Sequence, residues 1–212
     1  MSHFIVGECH VKVASVEPLG APGALDNALS MLSHYRRDKT MRYRFDRGKW
    51  LSAGAGLLLD NMLREHGLRE RDMHYVEGEH GKPALAEHPE LHFNLSHSDT
   101  LVACAMGNKP VGVDVQHLVK LRQGLVRYTM SDEEIAKLET MGSSQEKSLF
   151  FTQLWTLKES YVKATGTGLS HEFPAFDIDP SGLVTPLKPL TPPASFRLFT
   201  MDNAVVAVAI LD

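Results

Sequence analysis

Val111-Gly-Val-Asp-Val-Gln116 puts Val at every second position, while Trp155-Thr-Leu-Lys-Glu-Ser-Tyr-Val-Lys163 spaces Trp155, Glu159 and Lys163 four residues apart. A period of two belongs to a strand, with Asp114 and Gln116 on one side of its sheet. A spacing of four belongs to a helix, with the three side chains on one face. The chain therefore needs both a sheet and a long helix. Two carboxylates, an amide and an ammonium presented in this way can build an oxygen-ligated metal site beside a proton donor. Hard divalent cations held by few protein carboxylates work together with substrate phosphates.

The remaining elements follow from periodicity and punctuation. Residues 3–16 read as a strand and 18–23 as a loop. Helices are expected near 24–36 and 47–66, the second apolar along Leu51, Leu57, Leu58, Met62 and Leu63 and stopping at Gly67. Its Ala53-Gly-Ala-Gly56 stretch lowers helix propensity and leaves room for another backbone to come close. Strands are expected at 73–77, 91–95, 101–106 and 111–116, with Gly78–Pro83 a turn and Asn108-Lys-Pro110 a hairpin turn joining the last two strands. Ser131-Asp-Glu-Glu134 has capping-box spacing and opens a short helix to about Met141. Ser143-Ser-Gln-Glu146 repeats it and opens the helix carrying Trp155 to Lys163, which Gly166 and Gly168 end. Strands return at Ala175–Ile178, Phe196–Met201 and Ala204–Leu211, with 186–193 a loop. Each half holds a Trp-led helix ending at Gly (Trp50 to Gly67, Trp155 to Gly166) and a strand pair ending in an apolar run.

Composition narrows the classes. The 212 residues allow one domain or two small ones with a substantial core. Hydrophobic content of 43% and charged content of 23% are those of a globular protein, and a net charge of −4 argues against nucleic-acid binding. Two cysteines, Cys9 and Cys104, both in apolar runs, are too few for a disulfide framework or a zinc cluster. The eleven histidines show no zinc-ligand spacing. No apolar run is long enough to span a bilayer, and the N-terminus lacks the charged and apolar regions of a signal peptide. A cytoplasmic location is expected.

The polar residues carry alternative readings. Asp114 is either a strand-end turn residue or a carboxylate that needs a partner or ion on a Val-rich strand. Glu159 and Lys163 are either a surface ion pair or functional groups, on a helix made apolar by Phe150, Phe151, Leu154, Trp155, Tyr161 and Val162. Asn94-Leu-Ser-His-Ser98 is a polar insertion between apolar strands. It reads as a tight connection or as an anion site; a Ser96–His97 nucleophile pair is disfavoured because neighbours on a strand face opposite ways. Gly81-Lys-Pro83 is a turn, or a rigid mount presenting an ammonium to phosphate. Arg42, Arg44, Arg47 and Lys49 make a basic cluster at the start of the long helix.

Taken in order, Gly81-Lys-Pro83, Phe93-Asn-Leu-Ser-His-Ser98, Val111-Gly-Val-Asp114 and Trp155-x-x-Lys-Glu-Ser160 with Lys163 resemble the 4′-phosphopantetheinyl transferases of the larger, surfactin-synthetase-activating (Sfp) type. Gly166-Thr-Gly168-Leu169 also fits, and the matched region runs from about residue 40 to 170. The resemblance implies an α+β fold: a pseudo-dimer of two similar halves, 1–110 and 111–212, each a small antiparallel sheet on a long helix, with the site between them. It also implies the reaction, in which the phosphopantetheine arm of coenzyme A moves to a serine of an apo acyl or peptidyl carrier protein. Adenosine 3′,5′-bisphosphate is released, and Mg²⁺, with Mn²⁺ as an alternative, is required.

Roles carry over by position. Asp114 and Glu159 match the metal-binding carboxylates, and Glu159 also matches the residue that deprotonates the serine. Lys163 matches the lysine on the pyrophosphate and leaving group. Lys82, Ser96 and His97 match residues that hold the coenzyme A phosphates, with Arg47 a further candidate. Gln116 stands where many members carry a second acid, so its amide would ligate the ion or hold one of its waters with one negative charge fewer. Between Asp114 and the catalytic helix, Lys120, Arg122, Arg127 and Lys137 would steer an acidic carrier. Leu121, Leu125, Val126 and Met130 there are either contact surface or core. A monomer is expected, since a pseudo-dimer supplies both halves of the site. A non-catalytic coenzyme A-binding module and a purely structural α+β protein are the alternatives.

Overall fold

The computed structural model describes residues 1–78, 80–168, 173, 177–180, 185–186, 190–201 and 203–212. The fold is α+β, and the chain divides into two compact units, Met1–Lys109 and Pro110–Asp212. Among the described residues no helix is long and apolar enough to cross a membrane.

In the first unit, β1 (Ser2–Val6), β2 (Cys9–Ser15), β5 (His92–Ser98) and β6 (Leu101–Gly107) form an antiparallel sheet in the order β1-β2-β6-β5. The single strand expected over 3–16 is instead a hairpin. Val6 pairs with Cys9 across Gly7-Glu8, and Gly7 turns the chain at φ 58°. This is a conformation that glycine adopts without a Cβ clash. The helix expected over 24–36 is two, α1 (Ala24–Ser30) and α2 (His34–Met41), because Ser33 caps the second by accepting from the Arg36 N–H. The long helix α3 (Asp46–Leu63) continues as a 3₁₀ turn to His66 and stops at Gly67, φ 72°. Its Ala55, Leu58, Leu59, Met62 and Leu63 pack on Phe93, Val102, Cys104 and Met106 of the sheet. The small residues of α3 admit side chains rather than a backbone: a Cβ on Gly54 would lie 2.5 Å from Val16, and one on Gly56 2.8 Å from Arg36. A two-stranded ribbon, β3 (Tyr75–Glu77) with β4 (Pro83–Leu85), completes this unit's sheets.

The second unit has the order β10-β11-β7, from β7 (Val111–His117), β10 (Ala194–Met201) and β11 (Ala204–Leu211). Residues 108–110 are therefore not a hairpin turn. β6 already has β2 and β5 on its two edges, so β7 pairs elsewhere, with Asp114 opposite Ala207 and Gln116 opposite Val205 on β11. The segment after β7 forms α4 (Gln123–Thr129), which periodicity did not suggest, and α5 (Asp132–Glu139). The helix α6 (Ser144–Thr165) begins at the Ser143–Glu146 capping box and ends at Gly166, φ 71°. Phe151, Leu154, Leu157, Tyr161 and Ala164 of α6 pack on Phe196, Ala207, Ala209 and Leu211. The C-terminal strand expected from Ala175 is described only at β8 (Ile178–Asp179), paired with β9 (Thr185–Pro186); 175–176, Leu169 and part of the 186–193 loop lie outside the described residues.

Candidate active site

Gly112 sets the geometry of the second unit's candidate residues. It alternates with Asp114 and Gln116 on one face of β7, and α6 lies directly on it. A Cβ at Gly112 would be 2.0 Å from the Ser160 carbonyl oxygen and 2.3 Å from the Ala164 nitrogen. Only a hydrogen at this position lets the helix backbone come so near. Asp114 is thereby brought under the last turns of α6 and is 1% exposed. Lys163 Nζ donates to Asp114 Oδ1 at 2.5 Å, and the lysine side chain stays 28% exposed. Within α6, where most residues from Phe150 to Ala164 are buried, Trp155, Glu159 and Lys163 share the partly open stripe that their spacing called for.

Glu159 has a raised pKa. Burial is the main cause, the Asp114 carboxylate adds to it, and the Lys163 ammonium partly offsets both. Two carboxylates thus repel one another beside one lysine, and Gln116, partly exposed, follows Asp114 on the same strand face. Hard oxygen donors with excess negative charge suit a divalent cation. Among the described residues no group of three or more His, Cys, Asp or Glu side chains could hold a metal. Asp114, Glu159 and Gln116 would offer two carboxylates and an amide, a set that would suit an ion taking one or two carboxylates and completing its shell with water and phosphate.

The first unit carries the other candidates. Lys82 follows Gly81, which has φ 75°, and burial pushes its ammonium down to about 8. It lies within electrostatic reach of His92 at the start of β5, whose own pKa is lowered by burial and then by Lys82. The polar run from Asn94 to Ser98 belongs to β5 rather than to a connection: Ser96 pairs with Ala103 and His97 with Val102. Ser96 is buried and His97 exposed, as neighbours on opposite faces should be. Arg47 is anchored at the turn beyond β5, where its Nε donates to the Asp99 carbonyl at 3.1 Å and its guanidinium pairs with the Asp99 carboxylate. Asp99 itself takes the left-handed φ of 53°. Arg47 is thus bonded at one end of β5, and Lys82 is within electrostatic reach of its other end.

Two features escaped the sequence. Gly112 looked like one more small residue of the strand. Lys158, expected only as part of the motif, is wholly buried. Its Nζ donates to Glu134 Oε2 at 2.7 Å and to the carbonyls of Phe173 at 2.9 Å and Thr129 at 3.0 Å. In the α4–α5 segment Met130 is core, and Leu121, Leu125 and Val126 pack partly buried against it, while Tyr128 is exposed beside Arg122 and Arg127.

Residues 110–209 match the family described as the 4′-phosphopantetheinyl transferase superfamily. A 4′-phosphopantetheinyl transferase of Bacillus subtilis is 29% identical over 76% of this chain and 71% of its own length. The Sfp transferase of Bacillus subtilis strain 168 is 27% identical over 71% of this chain and 67% of its own. The transferase HetI of a Nostoc species is 29% identical over 91% of this chain and 84% of its own. The second half of the chain thus matches the 4′-phosphopantetheinyl transferase superfamily, and the chain is similar to these transferases over most of its length.

Proposed function

We propose that this enzyme transfers the 4′-phosphopantetheine arm of coenzyme A to a serine hydroxyl of an apo acyl or peptidyl carrier protein, with Mg²⁺ and release of adenosine 3′,5′-bisphosphate. The observation that carries this reading is the grouping of Asp114, Lys163 and Glu159, with Gly112 letting α6 lie on β7. Asp114 and Glu159, with Gln116, are the residues to hold Mg²⁺, which when bound supplies positive charge for the pyrophosphate oxygens.

Glu159, buried beside the Asp114 carboxylate, is the group to act as general base. It takes the serine proton as the serine oxygen forms a bond to the β-phosphorus of coenzyme A. The bond from that phosphorus to the bridging oxygen breaks, and the electron pair leaves on the adenosine bisphosphate. Lys163, partly exposed and held by Asp114, places an ammonium for that leaving phosphate. Lys82, Ser96, His97 and Arg47 supply donors for the coenzyme A phosphates, His97 for the 3′-phosphate. Burial disfavours the charged form of Lys82, so an arriving phosphate restores a partner that water provides poorly there. The enzyme is read as a cytoplasmic monomer, a state that sedimentation of the purified protein checks.

The test is the intact mass of several apo carrier proteins after incubation with the enzyme, coenzyme A and Mg²⁺. A gain of one phosphopantetheine arm, lost with D114A and with E159A, is the expected result. Tight coenzyme A binding with no gain on any carrier would instead identify a coenzyme A-binding module.

A further inference from the structure

Lys158 sits one residue before Glu159 on α6, yet it points away from the candidate site into a fully enclosed position. An ammonium has three N–H donors. Here they meet acceptors on three separate pieces of chain: the carbonyl of Thr129 at the end of α4, the carboxylate of Glu134 in the first turn of α5, and the carbonyl of Phe173. Glu134 is as heavily engaged. Its Oε2 also accepts from the Ser131 N–H at 3.0 Å, closing the capping box of α5, and its Oε1 accepts from the Ile178 N–H at 3.2 Å, on β8. One buried ion pair thus joins α4, α5, residue 173 and β8 to the helix turn that carries Glu159.

A pair of well-packed apolar side chains would fill this volume without two desolvated charges. What apolar packing lacks is direction. An ammonium with three fixed acceptors holds α6 at one rotation about its axis, and so fixes where Glu159, about 100° further around the helix, is aimed. The same bonds fix α4 and α5. Residues 120–128, leading into and along α4, carry exposed Lys120, Arg122 and Arg127 with exposed Tyr128, a cationic and aromatic segment suited to an acidic protein, whereas α5 exposes Asp132, Glu133 and Glu139. Phe173, whose carbonyl is one of the acceptors, packs its ring tilted 5.9 Å from Trp155 and edge-on 5.5 Å from Tyr128, tying that segment to α6 a second time.

We propose that Lys158 and Glu134 are positioning residues that hold the cationic 120–128 segment in register with Glu159, so that an acidic carrier protein docked on that segment delivers its serine to the base. This rests on the transfer reaction proposed above. Neither residue is placed in contact with coenzyme A. Damage to the pair should therefore appear in the carrier's kinetics and leave coenzyme A binding alone.

The experiment compares wild type, E134Q and K158M, each assayed well below its own melting temperature. The carrier KM, kcat and the coenzyme A Kd are measured for all three. E134Q removes one charge by changing one atom, so it serves where K158M fails to fold. The expected result is a carrier KM raised at least tenfold and a kcat lowered at least tenfold, with the coenzyme A Kd within twofold of wild type. Folded variants with lower melting temperatures but wild-type carrier KM and kcat would overturn the positioning role and leave the pair purely structural. A coenzyme A Kd that rises in parallel with the carrier KM would also overturn it. A wild-type enzyme that modifies no carrier would overturn the transfer reaction itself, and the inference with it.

Discussion

Replacing Gly112 by Ala should damage both stability and catalysis, and the structure sets the scale. The added Cβ would lie 2.0 Å from the Ser160 oxygen, 2.3 Å from the Ala164 nitrogen and 2.8 Å from the Lys163 carbonyl carbon. Ordinary contact begins near 3.4 Å. The atoms in the way are backbone of α6 on one side and backbone of β7 on the other, so no flexible side chain can yield. Relief requires α6 to withdraw from β7 by roughly 1.4 Å, and the Lys163–Asp114 contact, now 2.5 Å, would open by a similar amount. Overpacking of this kind costs about 1–3 kcal/mol, and rigid backbone on both sides puts this case at the upper end. Against that, Ala restricts the unfolded chain more than Gly, a gain of no more than about 1 kcal/mol. The net is a loss of about 2 kcal/mol. Misplacing catalytic groups by about 1 Å costs about 10²-fold in rate. Urea denaturation gives the first quantity and carrier modification under saturating substrates the second. A G112A enzyme within about 0.5 kcal/mol of wild type, the range of an innocuous substitution, and with unchanged kcat would refute the argument that this glycine sets the distance between helix and strand.

Removing the α6 cap should separate stability from activity. Ser143 Oγ accepts from the Glu146 N–H at 3.1 Å, and S143A should lower stability by about 1 kcal/mol. The helix start is four turns from Glu159, so kcat should not change; a tenfold drop would contradict the assignment of the chemistry to the other end of α6. Lys82, with its ammonium pushed down to about 8, loses its proton as pH rises through that value, so coenzyme A affinity should fall on the alkaline side. Calorimetry at pH 8 in buffers of different ionisation enthalpy should show proton uptake on binding, and K82R should abolish it. Q116E adds a third carboxylate and should lower the Mg²⁺ concentration needed for half-maximal activity. An unchanged Mg²⁺ dependence would show that residue 116 is not near the ion.

Local signals carried a good part of the fold. The start and end of α6 were legible because a capping box and a left-handed glycine satisfy backbone groups within the same turn, with no help from the rest of the chain. Strand β11 was legible to the residue because an apolar run of this kind can only be buried. The stripe of Trp155, Glu159 and Lys163 followed from helical geometry alone. Other boundaries were misread where a weak local sign was outweighed by a strong periodic one: Gly7 inside an alternating run, and Ser33 inside a helical one.

What the sequence by itself determined were the types of element and the side chains sharing a face, because both depend on backbone geometry repeating over a few residues. The partners of those faces were decided by tertiary structure. Lys163 had an obvious neighbour in Glu159 one turn away, but its ammonium bonds Asp114, 49 positions distant in the chain. Lys158 looked like any lysine on a helix, and proved to be a buried junction of α4, α5 and residue 173. β7 followed β6 with a turn between them, and joined another sheet because both edges of β6 were taken. Each outcome turns on which distant segment reaches a hydrogen-bonding group or an open edge first and most completely. No local pattern encodes that competition; it is settled when the whole chain packs.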